Sequence, residues 1–251
     1  MSTKYLGKTF DIHTGGVDLI FPHHENEIAQ TEAATGKKFV NFWVHNEWLL
    51  VNGKKMSKSL GNFFTLRDLL DKGYSPMSIR YVLLATHYRQ QLNFTFDEIE
   101  AAKNTISKLK DFMQRLKEVD ADGTNPNIKG FISVAKKEFE NAMDNDLEMS
   151  SALAAIFSFV KKINKLFSHK MSKKDAEMIY DQMLRFDSVL GLKLDEVEEV
   201  EITEEEQKLI EERETARASK DFAKADRIRD DLKEKGLILE DTKQGVRWKR
   251  A

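Results

Sequence analysis

The spacing of apolar side chains changes near residue 65 and divides the chain into two kinds of structure. Residues 10–62 mix strand and helix signals. "KTFDIHTGG" alternates and ends in paired glycines, which predicts a strand running into a tight loop. "PHHENEIAQTEAAT" follows, with proline at the first helical position, acids early and Gly36 after its end, so it reads as a short helix. "FVNFWVHNEWLLV" is aromatic and β-branched, a strand or a strand pair, and "NGKKMSKSLGN" is a polar, lysine-rich loop. Strand, glycine loop, helix and strand in that order make an α/β pattern.

Beyond Thr65 the period is helical. "TLRDLLDKGYSPMSIRYVLLATHY" is broken at Gly73 and Pro76, and "FDEIEAAKNTISKLKDFMQRLKEV" predicts one long amphipathic helix, acidic at its start and lysine-rich towards its end. A turn-rich linker, "DADGTNPN", occupies 120–127. Three further amphipathic segments, "FISVAKKEFENAMDN", "SSALAAIFSFVKKINKLF" and "SKKDAEMIYDQMLRFDSVLGL", have short connections and should pack as a bundle. The acidic link "DEVEEVEITEEE" then leads to a helix pair and to "LILEDTKQGVRWKR", a small hairpin turning at Gly245.

Composition narrows the function classes. With 251 residues, 41% hydrophobic and 33% charged, the chain has the make-up of one large or two ordinary globular domains. No apolar run approaches the roughly 20 residues of a membrane span. The opening "MSTKYLGKTF" has neither a signal peptide's apolar stretch nor an arginine-rich transit character, so a cytoplasmic location and no membrane partner are expected. The cysteine count of zero excludes disulfides, thiolate nucleophiles and zinc fingers built by this chain alone. A net charge of −2 neither requires nor excludes a nucleic-acid partner.

Four stretches could carry chemistry. In "HHENE", a helix places His23 and Glu27 one turn apart on one face, close enough to share a metal ion, and His24 with Glu27 could do likewise. The bland alternative is a solvated first turn whose acids complement the helix dipole. "DIHTGGVDL" sets His13, Gly15, Gly16 and Asp18 at a strand end, where α/β sheets bind ligands; glycines admit a ligand to the backbone and a carboxylate can accept from a ribose. In "KKMSKSLGN", Lys55 and Lys58 with Ser57 and Ser59 offer cations and hydroxyls to a polyphosphate on a glycine-flanked loop. "KMSKK" recurs at 170–174 between helices with no strand before it, and reads as a connector. Lys243, Arg247, Trp248, Lys249 and Arg250 combine cations with a ring that can stack on a base, and Lys161, Lys162 and Lys165 form a cationic helix face.

Taken in order, "FDIHTGGVDLIFPHHENEIAQ", "KMSKSLGN" and "RYVLLATHYRQQLNF" resemble one family, cysteinyl-tRNA synthetase, a class I aminoacyl-tRNA synthetase. The likeness is detailed over residues 10–94 and looser beyond. The resemblance implies an α/β plus all-α chain: the C-terminal half of a Rossmann-like class I catalytic domain (1–64, with the signature loop), a helical connecting region (65–119), a helical-bundle anticodon-binding domain (120–194) and a small C-terminal tRNA-binding domain (203–251).

It also implies a two-step reaction, in which cysteine and ATP give cysteinyl-adenylate and the cysteinyl group passes to tRNA(Cys). By that resemblance Lys55 and Lys58 are the catalytic residues of a mobile loop, with Lys58 contacting the phosphates of ATP, accompanied by Mg2+, and stabilising the departing pyrophosphate. Gly16 and Asp18 would contact the adenosine, and His13 would lie beside the cysteine pocket. His23 and Glu27 would be two of four zinc ligands, two upstream cysteines completing the set, and the zinc would prefer a substrate thiolate to a serine hydroxyl. Lys161, Lys165, Lys243, Arg247, Trp248, Lys249 and Arg250 would touch the tRNA.

The sequence departs from that family in lacking the first half of its catalytic domain, with the "HIGH"-type signature and both cysteines. The chain alone is therefore expected not to aminoacylate and not to hold zinc tightly. It would need an N-terminal half, on a separate chain or its own. The alternatives are a non-catalytic tRNA-binding module derived from a synthetase and a cysteine ligase with a small-molecule acceptor; the bundle and the basic terminal unit speak against the latter.

Overall fold

The computed structural model describes residues 2–167, 171–196, 202–242 and 245–250, in two units, 1–195 and 196–251. After a short helix, α1 (Ser2–Leu6), strand β1 (Phe10–Gly16) pairs in parallel with β2 (Val40–Asn46). The connection between them holds a 3-10 turn (Val17–Leu19), one π-helical turn (Ile20–His24) and α2 (Glu25–Thr35), which ends at Gly36 with φ 64. A parallel pair requires such a crossover, and α2 supplies it. Two expectations are corrected here. Gly15 and Gly16 belong to the strand rather than to a loop, and α2 begins at Glu25 because Pro22 lies inside the wide turn that precedes it.

The register places Ile12 beside Phe42, His13 beside Trp43 and Gly15 beside His45. Side chains alternate across a sheet, so His13, Gly15, Trp43 and His45 share one face and Ile12 and Phe42 the other. Ring contacts among His13, His24, Trp43 and His45 fill the first face. On the second, Ile12 and Phe42 are 59% and 67% exposed.

Strand β3 (Leu49–Val51) pairs antiparallel with β4 (Lys54–Lys55) and parallel with β5 (Leu92–Phe94). β4 and β5 emerge only in the fold: two lysines and "LNF" become strands because β3 offers a ladder on each edge. Helices α3 (Leu66–Asp71) and α4 (Pro76–Ala85) close over this sheet, burying Leu69, Ile79, Val82 and Phe94 with Ile99 and Ala102 of α5.

α5 (Phe96–Lys117), α6 (Asn127–Asp144), α7 (Met149–Asn164) and α8 (Lys173–Leu190) form the bundle, with Phe112, Ile128, Phe139, Ile156, Phe159, Ile179 and Phe186 in its core. Thr65, Thr95 and Ser172 start α3, α5 and α8 with capping boxes, each oxygen accepting from the backbone N–H three residues on. Met171 is buried and Ser172 caps α8, which gives the second "KMSKK" its structural role.

The second unit joins α9 (Glu204–Ala218) and α10 (Phe222–Glu234) to a hairpin, β6 (Leu237–Thr242) and β7 (Gly245–Arg250). Ile210, Ile228, Leu232 and Leu237 are its core. Gly245 opens β7, paired with Thr242, instead of making the turn. Among the described residues no helix is long and apolar enough to cross a membrane.

Candidate active site

β1 and the turns after it set three groups against one another. His13 Nε2 lies 2.8 Å from Glu27 Oε2, and the ring of His24 sits 4.8 Å from that of His13. Donor atoms of His13, His24 and Glu27 all fall within 4.8 Å of one another. His24 is buried, and its Nδ1 lies 2.8 Å from His45 Nε2, so one of the two nitrogens carries the shared proton. Burial first, then the neighbouring His13 and His45, holds the His24 imidazole below its ordinary pKa.

The glycines have distinct reasons here. A Cβ on Gly15 would meet His24 Cε1 at 2.6 Å, so only glycine lets that ring lie on the strand. A Cβ on Gly16 would meet Asp18 Oδ1 at 2.5 Å; the Asp18 carboxylate folds back over Gly16, and the two form one small polar corner at the end of β1.

His23 points elsewhere. It is 62% exposed, with Nε2 at 4.0 Å from the same Glu27 oxygen that His13 approaches at 2.8 Å. Glu27 is therefore common to both groupings: His13 and His24 on the inner side, His23 on the outer. Sequence spacing had pointed to the helical neighbours His23 and His24. His13, fourteen residues before Glu27, entered through strand pairing. Trp43 and His45 were missed as site residues; their alternation in "FWVHN", opposite His13 and Gly15, was the available signal.

The lysine loop lies on a separate segment. Asn62 ties it across: its side-chain oxygen accepts from Ser57 N–H at 2.9 Å and its Nδ2 donates to Lys55 C=O at 3.2 Å. Ser57 and Ser59 hydroxyls are 3.2 Å apart. Lys55 Nζ stands 4.0 Å over the Trp48 ring and Lys58 Nζ 5.7 Å from that of Phe63, both lysines being exposed.

Of the cations assigned to nucleic acid, Lys161 and Lys162 occupy the last turn of α7 and Lys165 follows it, all exposed. Arg115 of α5 joins that end, bonded to Asn164 and stacked on Phe167. Arg247, Lys249 and Arg250 lie on β7, while Lys243 falls outside the described residues. Trp248 is half-buried and packed against the cluster of Ile210, Ile228, Leu232 and Leu237, so its ring serves the core of the terminal unit.

Comparison with known proteins adds three matches in chain order. Residues 1–104 match the model of the tRNA synthetases class I (C) catalytic domain, 138–195 the DALR domain, and 199–248 the cysteinyl-tRNA ligase anticodon binding domain. Among curated relatives, cysteine–tRNA ligase of Protochlamydia amoebophila is 46% identical over 251 residues, all of this chain and 52% of that protein. The Solibacter usitatus cysteine–tRNA ligase is 46% identical over 257 aligned residues, covering 100% of this chain and 54% of that protein. The chain thus spans about half the length of the curated relatives it matches.

Two solved structures share the fold at low identity. The LeuRS–tRNA–LeuAMS ternary complex of Agrobacterium radiobacter K84 has TM-score 0.61 and 17% identity over 74% of this chain and 26% of that one. Mycobacterium tuberculosis methionyl-tRNA synthetase with methionyl-adenylate has TM-score 0.53 and 20% identity over 73% and 40%. The α/β part followed by helical domains, and a match that spans the whole chain at 46% identity, lead to one conclusion: the chain belongs to the cysteinyl-tRNA synthetase family and corresponds to the C-terminal part of its members.

Proposed function

We propose that the chain supplies the signature loop, part of the amino-acid site and the tRNA-binding domains of a cysteine–tRNA ligase, which activates cysteine with ATP and transfers it to tRNA(Cys). The observation that carries this reading is 46% identity across all 251 residues to proteins of that name. The complementary half of the catalytic domain, as an adjoining segment or a separate chain, would complete the site. A parallel sheet is stable when covered on both faces, and the exposed Ile12–Phe42 face is the surface that half would cover.

In activation the cysteine carboxylate attacks the α-phosphorus of ATP, and the bond to the β,γ-phosphate breaks as pyrophosphate leaves. The Lys58 ammonium, on an exposed loop, would approach the phosphates, beside Mg2+, and stabilise the charge that grows on the leaving group. Lys55 would take a similar part from the start of the loop. Asp18 would accept hydrogen bonds from the ribose hydroxyls, with Gly16 leaving the backbone open to the nucleotide. His13 would border the cysteine pocket, and its bond to Glu27 would orient that carboxylate.

The residues present fit half of a zinc site. His23 and Glu27 offer one nitrogen and one oxygen 4.0 Å apart, and tetrahedral ligands about 2.0–2.1 Å from zinc lie roughly 3.4 Å apart, so a small rotation of the exposed His23 suffices. With a cysteine count of zero, both thiolate ligands would come from the complementary half. When bound, the ion supplies a soft centre that favours a thiolate over a hydroxyl.

The deciding experiment measures cysteine-dependent ATP–pyrophosphate exchange and zinc content of the purified chain, with and without a separately made N-terminal half. Exchange and zinc retention only when both halves are present are expected. The matches to a DALR domain over 138–195 and an anticodon binding domain over 199–248 also suit a non-catalytic tRNA-binding module. Salt-sensitive tRNA binding without exchange in either arm would replace the ligase reading with that one.

A further inference from the structure

The segment after α4 reaches in two directions at once. His87 is buried; its Nδ1 accepts the Arg89 N–H at 3.2 Å, so Nε2 carries the proton and donates to the Asp146 carbonyl at 2.9 Å. Tyr88 donates its hydroxyl to Asp146 Oδ1 at 2.6 Å, and Arg89 Nε meets Asp146 Oδ2 at 2.6 Å. Asp146 stands in the turn between α6 and α7, so three successive residues of the catalytic part grip one residue of the bundle.

That turn is held in an unfavourable backbone state. Asp146 and Leu147 have φ 57 and 59, successive left-handed conformations without a glycine, and such geometry persists where its surroundings enforce it. Two backbone bonds, Leu147 N–H to Met143 C=O at 3.1 Å and Glu148 N–H to Ala142 C=O at 3.0 Å, close the turn, and the contacts to Asp146 brace it from outside.

On its other side the same segment fixes the approach to the signature loop. The Tyr88 carbonyl accepts the Glu47 N–H at 2.8 Å, and the Trp48 carbonyl accepts the Leu92 N–H at 3.2 Å. Trp48 is the ring on which Lys55 rests at 4.0 Å. A continuous chain of contacts therefore runs from the bundle turn through His87–Arg89 to Trp48 and Lys55.

We propose that His87 and Asp146 are positioning residues for the signature loop: they hold Trp48, the seat of Lys55, in fixed relation to the tRNA-binding bundle. The catalytic meaning of this rests on the reading of Lys55 above; the mechanical coupling does not. In a ligase it would keep the lysine loop registered to a helical domain that touches the other end of the nucleic acid.

The test uses the whole chain without ligand. His87→Leu, Asp146→Ala and the conservative His87→Gln, which retains a side-chain N–H, are compared by hydrogen exchange and by acylation of individual lysine amines. His87→Leu and Asp146→Ala should raise exchange at Glu47 and Leu92, and acylation of Lys55, by roughly threefold or more, with α5 and α8 core amides unchanged and His87→Gln close to the native chain. Should His87→Leu fail to fold, Asp146→Ala decides, because its target is exposed. Changes confined to residues 86–89 and 143–148, with native Lys55 reactivity, would overturn the coupling. If the coupling is found while the reconstituted enzyme forms no adenylate, it stands and the ligase reading falls.

Discussion

His23 and His24 are adjacent in sequence and differ in almost every physical respect. The first is exposed at the rim of Glu27; the second is buried between Gly15, His45 and Trp43. His23→Ala should remove zinc from the reconstituted enzyme and weaken its preference for cysteine over serine while barely changing thermal stability. His24→Ala should instead lower stability by about 2–3 kcal/mol, through a lost hydrogen bond and a cavity, as chemical denaturation would record. Gly15→Ala should cost about 1–3 kcal/mol by the same measurement, since its methyl group drives into His24. Lys58→Ala should slow adenylate formation by about a hundredfold with little change in cysteine affinity, read by pyrophosphate exchange at varied cysteine. The paired histidines were visible in the sequence because helical spacing is local. That His13 shares Glu27 was not, because a strand register links residues distant in the chain.

At the scale of elements, the long helices were legible because an apolar stripe repeated over several turns has few other solutions. The short pieces were not. β5 and the Lys54–Lys55 strand have no pattern of their own, and they exist because β3 leaves both edges open. Helix starts depend on caps that work at close range. Asp175, buried, accepts from Ser172 and from the Asn125 N–H at 2.8 Å, tying the linker to α8. Asp175→Ala should therefore destabilise the bundle by about 2–4 kcal/mol, more than an exposed cap would, as thermal unfolding would show.

The α3 cap carries a pH signature. The Thr65 hydroxyl, then its backbone N–H, lowers the Asp68 pKa from its ordinary 3.8. A depressed carboxylate contributes stability above its unfolded pKa and loses it as pH falls through the folded value. Amide protection in the first turn of α3 should accordingly be constant near neutrality and fall only below about pH 4, and protection that is lost on raising the pH instead would contradict the cap.

For the molecule as a whole, the exposed Ile12–Phe42 face and the cationic end of the bundle make opposite demands. Phe42→Ser should improve the solubility of the isolated chain and weaken its reconstitution with an N-terminal half by about tenfold or more, measured by titrating exchange activity. Lys161→Ala with Lys165→Ala should reduce the salt dependence of tRNA binding by about one to two in log–log slope.

The long helices, their packing as a bundle, the lysine loop and the one-turn spacing of His23 and Glu27 were determined by the sequence itself, because periodicity and short-range spacing express local physics. Only the tertiary structure decided that His13 and His45 close around His24, that Trp48 seats Lys55 and that Asp146 is gripped by His87–Arg89. These are contacts across 7 to 59 residues, set by strand register and helix packing, and no local pattern encodes which partner a side chain meets.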